Sequence, residues 1–269
     1  MIKPGEIQKK ARVAGVRDLQ IEKDYMLSWI LKGISKLQQL SSILVFKGGT
    51  VLKKIYFENY RFSEDLDFTL LDNGINNEQI FEWFNKSFEY IKEEANIAFE
   101  IVNNKEHEEG NINFYISYIG PQGGLGNNKR VKIDISRNEQ LVFDPVMKNA
   151  LIDYSDIDGH QLLCYPLEEV LVEKLRSVMQ SMQARDFYDL WYLLEQQGME
   201  LSFYTREFEL KCKSKEINPL DFPKKLAERL PQYGGRWKSS MSEQIHNLPD
   251  FDQVEREMQR HFKKWKWLF

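Results

Sequence analysis

The apolar positions along this chain change their period several times, and each change marks an element. Between residues 5 and 38 they recur at helical spacing, with Ile21, Tyr25, Leu27, Trp29, Ile30, Leu31 and Ile34 in a broad stripe, which predicts one or two helices. Ser41-Ser42 marks a turn, and residues 43–46 form a short buried strand. After Gly48-Gly49 comes a helical turn; residues 65–70 then alternate polar and apolar side chains as a strand does. Asp72-Asn73-Gly74 is a loop, and Asn76 or Asn77 caps a helix running to about Ala95, with Ile80, Phe81, Phe84, Phe88 and Ile91 on its buried side. Residues 97–102, 113–119 and 130–136 are predicted strands. The loop 121–128 carries Gly123, Gly124 and Gly126 but leads into a strand, so it is a hairpin connection and not a dinucleotide fingerprint.

Beyond this the pattern is helical. Pro166 is placed to open a helix whose stripe contains Leu167, Val170, Leu171, Lys174, Leu175 and Val178. A lysine on or beside an apolar face is costly unless its ammonium meets an anion. Lys174 and Asp189 lie 15 residues apart, about 22 Å along one straight helix, so they can serve one site only if the chain breaks between them, near 180–184. From Ser202 onward, Pro219, Pro223, Pro231 and Gly234-Gly235 are expected to cut the chain into short helices. Phe203, Phe208, Leu226, Leu230, Ile245, Val254, Met258 and Phe262 would supply a helical-bundle core. The organisation predicted is α/β: residues 1–160 with a mixed sheet flanked by helices, then a helical domain over 161–269.

Composition narrows the class. A 269-residue chain with 42% hydrophobic and 29% charged residues can bury a substantial core. It has no apolar run near the roughly 18 residues a membrane helix needs, and its first residues lack the apolar segment of a signal peptide. Cys164 and Cys212 form no CxxC or Cys/His cluster, which fits a reducing cytoplasm. The four histidines are scattered and read as structural or surface groups. Net charge is −4 but uneven: residues 201–269 hold 14 basic against 10 acidic residues, a net of +4, leaving −8 for residues 1–200. The last ten residues, RHFKKWKWLF, interleave cations and aromatics. They suit either a grip on a phosphate backbone with base stacking or a solvated basic helix face. Residues 153–159 (DYSDIDG) fail as a calcium loop, because aligning Gly159 to the sixth position puts Tyr154 first and Tyr165 twelfth.

The candidate chemistry lies in VFKGGTVLKKIYFENYRFSEDLDFTLL, residues 45–71. Alternation on a strand puts Leu66, Phe68 and Leu70 on one face and Asp65, Asp67 and Thr69 on the other. Two carboxylates side by side on a rigid, apolar-backed element suit a hard divalent cation that carries a nucleotide's phosphates. Gly48, Gly49 and Thr50, at a helix start, offer backbone N–H groups to the same phosphates. Lys47 could reach a phosphate or remain at the surface. In VKIDIS the same alternation places Asp134 where it can join Asp65 and Asp67 on one sheet face.

Gly48, Gly49, Thr50 and Leu52, followed by Arg61, Ser63, Asp65, Leu66 and Asp67, resemble the first motif of the AbiEii/AbiGii-type nucleotidyltransferase toxins, a branch of the DNA-polymerase-β-like nucleotidyltransferase superfamily. Lys174 followed by Arg185-Asp186-x-x-Asp189-Leu190 resembles the later motifs. In the wider superfamily the glycine motif usually reads Gly-Ser and lies closer to the acidic pair, so Thr50 stands in for the serine. The resemblance implies a nucleotidyltransferase palm and metal-dependent transfer of a nucleoside monophosphate from an NTP. By that resemblance Asp65, Asp67 and Asp134 hold Mg2+ or Mn2+, while Gly48, Gly49, Thr50, Arg61 and Ser63 position phosphates. Lys174 and Asp189 become essential polar residues, with Lys174 offsetting triphosphate charge. The implied setting is the toxin of a toxin–antitoxin or abortive-infection pair, with an antitoxin partner and the 3′ end of tRNA as acceptor. A protein acceptor and a non-catalytic nucleotide- or RNA-binding module are the alternatives.

Overall fold

The computed structural model describes every residue except 107–110, 125, 127, 128, 268 and 269, and for 104–106 the backbone only. The first long apolar stripe divides at Gly15, whose left-handed backbone (φ 66°) ends helix α1 (Pro4–Ala14) before α2 (Asp18–Lys36) begins. Helix α2 is covered nearly all round and buries Tyr25, Met26, Leu27, Ile30 and Leu31 together with Glu22, Asp24 and Lys32. Two of its buried carboxylates are paired: Lys54 Nζ reaches Asp24 Oδ2 at 2.6 Å, and Glu22 engages Lys129.

A short helix α3 (Gln38–Ser41) leads into strand β1 (Leu44–Lys47), and α4 (Gly48–Val51) continues as a π-turn over Leu52–Tyr56. Then follow β2 (Asp65–Leu70), α5 (Asn77–Ala95), β3 (Phe99–Glu106), β4 (Ile112–Tyr118), β5 (Arg130–Ser136), β6 (Val146–Asn149) and β7 (Gln161–Cys164). The seven strands lie in the order β3-β4-β5-β2-β1-β7-β6, with β1/β2 antiparallel and β2/β5 and β1/β7 parallel, so the sheet is mixed. One face carries Leu66, Phe68, Phe114, Ile116, Val131, Ile133 and Ile135, all buried. Helix α5 closes on this face, with the Phe84 ring edge-on to Phe114 at 5.1 Å. Asn76 caps α5 in a reciprocal box with Gln79. Strands β6 and β7 have four residues each and no clear alternation, and the sequence pattern does not disclose them.

The chain divides into two compact units, Met1–Glu139 with Pro145–Tyr165, and Gln140–Asp144 with Pro166–Phe269. Strand β7 and the turn before it thus belong with the sheet, five residues past the division expected at 160. Residues 140–144 join the helical unit because Glu169 Oε2 accepts the Val142 and Phe143 N–H groups at 3.0 and 2.9 Å, while Lys211 Nζ donates to the Gln140 carbonyl at 2.7 Å.

The second unit contains α6 (Leu167–Gln180), α7 (Ala184–Trp191), α8 (Thr205–Lys213), α9 (Phe222–Met241) and α10 (Phe251–Lys264). Pro166 is the N-cap of α6 rather than its first-turn residue. The break between Lys174 and Asp189 falls at 181–183, where expected. Two expectations fail here. Pro231 and Gly234-Gly235 do not end a helix: α9 runs through all three, because Leu226, Tyr233, Trp237 and Met241 bury one continuous stripe that outweighs the lost hydrogen bond. Gly234 has a packing role, since a Cβ there would stand 3.0 Å from the Phe251 ring. Phe203 is not core but 72% exposed, and Leu230 and Ile245 are half-buried; the core comes from Phe208, Phe222, Val254, Met258, Phe262 and Trp265.

Candidate active site

Strand β1 ends in Lys47, and the chain turns at once through Gly48, whose φ is +79°. A Cβ at that position would lie 2.3 Å from Asp67 Oδ2. Glycine is therefore required twice, by the left-handed backbone and by the carboxylate packed against it. Gly48→Ala is expected to cost about 1–2 kcal/mol in backbone strain and to push the Asp67 carboxylate aside. A displacement near 1 Å lowers turnover roughly 100-fold; a steady-state transfer assay beside a thermal melt checks both effects.

Register brings the acidic residues together. Asp67 of β2 is the Cα partner of Lys47 on one side and of Asp134 of β5 on the other, and Asp65 is the partner of Lys132. Cα partners share a face, so Asp65, Asp67, Asp134 and Lys132 occupy the corners of a block on the sheet face opposite the apolar core. Asp134 thus stands beside Asp67 in register, on the face that also carries Asp65. Lys132 is the residue that sequence reasoning missed, although its place two residues before Asp134 on the same strand face is legible once β5 is recognised. Its Nζ lies 2.7 Å from Asp134 Oδ2. Burial draws the Lys132 pKa down, but the hydrogen bond to Asp134 and the charges of Asp134 and Asp65 outweigh it and hold the ammonium above the ordinary lysine value.

Lys47, whose role the sequence left open, is buried, with Nζ 3.2 Å from Ser136 Oγ and 5.9 Å from the Tyr165 ring centre. The Thr50 hydroxyl is 2.6 Å from the Asp65 carbonyl oxygen and 2.7 Å from Ser63 Oγ. A carbonyl only accepts, so the single Thr50 proton goes to Asp65 and the Ser63 hydroxyl supplies the other bond. These two hydroxyls thereby fasten the glycine turn to the start of the acidic strand. Arg61, expected at the phosphates, is 1% exposed; it donates to the Phe62 carbonyl at 3.3 Å and lies 5.8 Å from the Tyr60 ring centre.

A hard divalent cation fits the donor set of Asp65 and Asp67, which are carboxylates on adjacent outward positions of one rigid strand with Gly48 leaving room beside them. Among the described residues no three carboxylate, imidazole or thiol groups are gathered closely enough to hold one ion. Asp134, expected as a third ligand, meets Lys132 Nζ through Oδ2.

In the helical unit, Lys174 of α6 meets two carboxylates of α7, Asp186 Oδ1 at 2.6 Å and Asp189 Oδ2 at 2.8 Å. The anion that the apolar surroundings of Lys174 demand is supplied, in this structure, by protein carboxylates rather than left for phosphate alone. Asp189 is fully buried. Of the histidines, His261 bonds Glu195 and His160 lies by the Asp158 carbonyl, with burial holding the His160 pKa below the ordinary value; His107 is outside the described residues.

A mixed sheet that sets a glycine turn beside paired carboxylates is the arrangement expected of a nucleotidyltransferase. The family model for the nucleotidyl transferase AbiEii toxin of type IV toxin–antitoxin systems matches residues 29–264, and the chain belongs to that family. No curated protein matches the sequence. Among solved structures, JHP933 from Helicobacter pylori is similar at 17% identity with a TM-score of 0.58, covering 93% of this chain and 95% of that one. MenT4, a nucleotidyltransferase toxin from Mycobacterium tuberculosis, is similar at 17% identity with a TM-score of 0.56, covering 97% and 99%. The family implies a nucleotide substrate and an antitoxin partner. No helix among the described residues is long and apolar enough to cross a membrane.

Proposed function

We propose that this chain transfers a nucleoside monophosphate from an NTP to the 3′ end of an RNA, with tRNA as the acceptor class, and does so with a divalent cation, Mg2+ or Mn2+. The acceptor hydroxyl oxygen forms a bond to the α-phosphorus as the bond from that phosphorus to the bridging oxygen breaks, and pyrophosphate leaves. The observation that carries this reading is the contact built between Gly48 and Asp67, with Asp134 next to Asp67 in register. Asp65 and Asp67 would hold the cation, which when bound supplies charge to offset that of the triphosphate.

The remaining roles fall to the chain's own groups. Backbone N–H groups at Gly48 and Gly49 face the phosphates, and Thr50 and Ser63 keep that turn in place. Asp134 accepts the hydrogen bond, and then the proton, of the acceptor hydroxyl. Arg61, to which the family resemblance gives a phosphate-positioning role, donates to the Phe62 carbonyl in the loop entering β2. Lys174 and Asp189, whose importance the family resemblance suggests, form an ion-paired group with Asp186. The decisive assay incubates the purified protein with each labelled NTP, magnesium and total RNA, then separates RNA from protein products. Label on RNA is expected. Label on protein alone would redirect the reading to a protein acceptor, and label on neither to a binding module.

RNA is favoured as acceptor by the basic end of the helical unit. Lys263, Lys264 and Lys266 are exposed, whereas Trp265 is buried and its Nε1 donates to Thr205 Oγ1 at 2.8 Å. Trp265 is a core anchor; Leu268 and Phe269 of the same tail lie outside the described residues. Neutralising the three lysines together is expected to weaken RNA binding and flatten its dependence on salt, by roughly 0.7–0.9 in log–log slope for each phosphate no longer gripped. NTP affinity should stay as it was. An unchanged slope would mean that these lysines are only a solvated helix face.

A further inference from the structure

Helices α1 and α2, the loop entering β2 and the chain at Asp153-Tyr154 border a cavity of about 760 Å3, a size common among small-molecule sites. No described residue of β2 or β5 lines it. Val13, Ala14, Ile21, Phe62 and Tyr154 give it apolar and aromatic walls, and Lys9, Lys10 and Lys53 line it as well. Lys53 is 6% exposed, yet no carboxylate pairs with it: its Nζ donates to the Glu58 carbonyl and lies 5.3 Å from the Phe62 ring centre. The comparably buried Lys54, Lys174 and Lys211 each stand 2.6 Å from a carboxylate oxygen. Lys10 likewise has only the Asp153 carbonyl and the Tyr154 ring. The carboxylates on the cavity are turned elsewhere: Asp153 Oδ2 faces Lys54 at 3.3 Å, Glu6 accepts from Ser155 Oγ at 3.1 Å, and Glu58 is exposed. A buried ammonium without a counter-ion is costly, and an anion in the cavity would offset that cost. Asp24, 1% exposed, lines the same cavity and makes the opposite demand. Its Oδ2 takes Lys54 and the Tyr154 hydroxyl, whereas its Oδ1 accepts no hydrogen bond from any described residue. A buried acceptor without a donor is also costly.

We infer that this cavity is a nucleotide site distinct from the acidic strand. The base lies against the apolar walls and gives an amino hydrogen to Asp24 Oδ1, while the phosphate meets Lys9, Lys10 and Lys53. An aminated base carrying a phosphate answers both demands, for a donor and for an anion, in one flat and partly apolar molecule. The site holds whether or not transfer occurs on the acidic strand, because only binding is involved. A nucleotide can arrive free or as one residue of an RNA strand, and the chemistry that recognises it is the same.

The test is isothermal titration calorimetry of the full chain with AMP, in chelator so that no divalent cation holds a nucleotide at Asp65 and Asp67. One AMP per chain is expected. Lys53→Met, which keeps the length of the side chain and suits a buried position, should weaken AMP at least about tenfold, the scale of a lost charged hydrogen bond. It should leave the binding of adenosine, which has no phosphate, unchanged. Purine riboside 5′-monophosphate, which lacks the amino group, should bind the wild type at least about tenfold more weakly than AMP. Val13 is 84% exposed, so Val13→Trp should melt like the wild type while crowding the cavity and weakening AMP. Asp67→Ala should bind AMP as the wild type does. The trinucleotide ApApA separates the two sources: binding at least as tight as that of AMP, with the same sensitivity to Lys53→Met, identifies an RNA strand, and binding of AMP alone a free nucleotide. No binding of AMP to the wild type would overturn the inference. So would binding indifferent to both Lys53→Met and Val13→Trp, equal binding of the purine riboside nucleotide, or loss of AMP in Asp67→Ala. Each of these leaves the proposed transfer reaction standing.

Discussion

Asp67→Ala is expected to leave a folded protein with transfer reduced roughly a thousand-fold or more, the scale on which a site loses a group that organises charge in the transition state. The separation of effects follows from the strand. Leu66 and Phe68 on either side of Asp67 are fully buried in the core, whereas Asp67 lies on the opposite, half-exposed face. Removing its carboxylate leaves the packing of β2 untouched. It removes one of three like charges on adjacent strand positions but also a carboxylate beside the buried Lys47, its Cα partner on β1, so stability in the absence of metal should change little. Asp65→Ala should behave the same way, with the backbone bond from Thr50 to the Asp65 carbonyl intact, since that bond does not involve the side chain. The measurements are a thermal melt in the presence of chelator and a single-turnover transfer assay. A well-folded Asp67→Ala protein with full activity would remove the proposed cation site.

How far such a site can be read from sequence depends on how local its geometry is. The facing of Asp65 and Asp67 follows from strand alternation alone, and the hairpin of β4 and β5 brings Asp134 into a sheet whose exposed face is polar at every second residue. The sequence does not reveal that β5 pairs in parallel with β2, at a register that sets Asp134 beside Asp67, because the two strands are separated by a helix and two other strands. That register is what converts Lys132 from an ordinary strand lysine into a partner of Asp134. Arg61 shows another limit. The family resemblance names it for phosphate, and only the structure shows that it is buried beside the Tyr60 ring with a bond to the Phe62 carbonyl. In the helical unit, proline and glycine mislead. Local propensity favours a break at Pro231, but a stripe of four large apolar residues across α9 gains more by staying helical than the missing hydrogen bond costs. Strands β6 and β7 leave no mark on the sequence because pairing, not alternation, makes them strands.

Lys174→Met is expected to cost about 3–5 kcal/mol of stability, the usual consequence of stripping the ammonium from a buried carboxylate. Lys174 bridges α6 to α7 through Asp186 and Asp189, and Asp189 is fully buried while Asp186 keeps some access to water. The single variant therefore confounds structure with chemistry, since any loss of transfer could follow from a loosened α6–α7 contact. The double variant Lys174→Met with Asp189→Asn separates them. It replaces a buried ion pair by neutral groups of nearly the same size, and Asp186 can turn to solvent. Most of the lost stability should return, visible as a urea midpoint near that of the wild type with an unchanged slope. If the ion pair also serves the reaction, as the resemblance of this segment to the family's later motifs suggests, the restored fold will still transfer at least roughly 100-fold more slowly, because the charge that it presented is gone. Near-wild-type turnover in the double variant would show that Lys174 and Asp189 only hold two helices together, and the anion that Lys174 requires would then be wholly accounted for by the two carboxylates beside it.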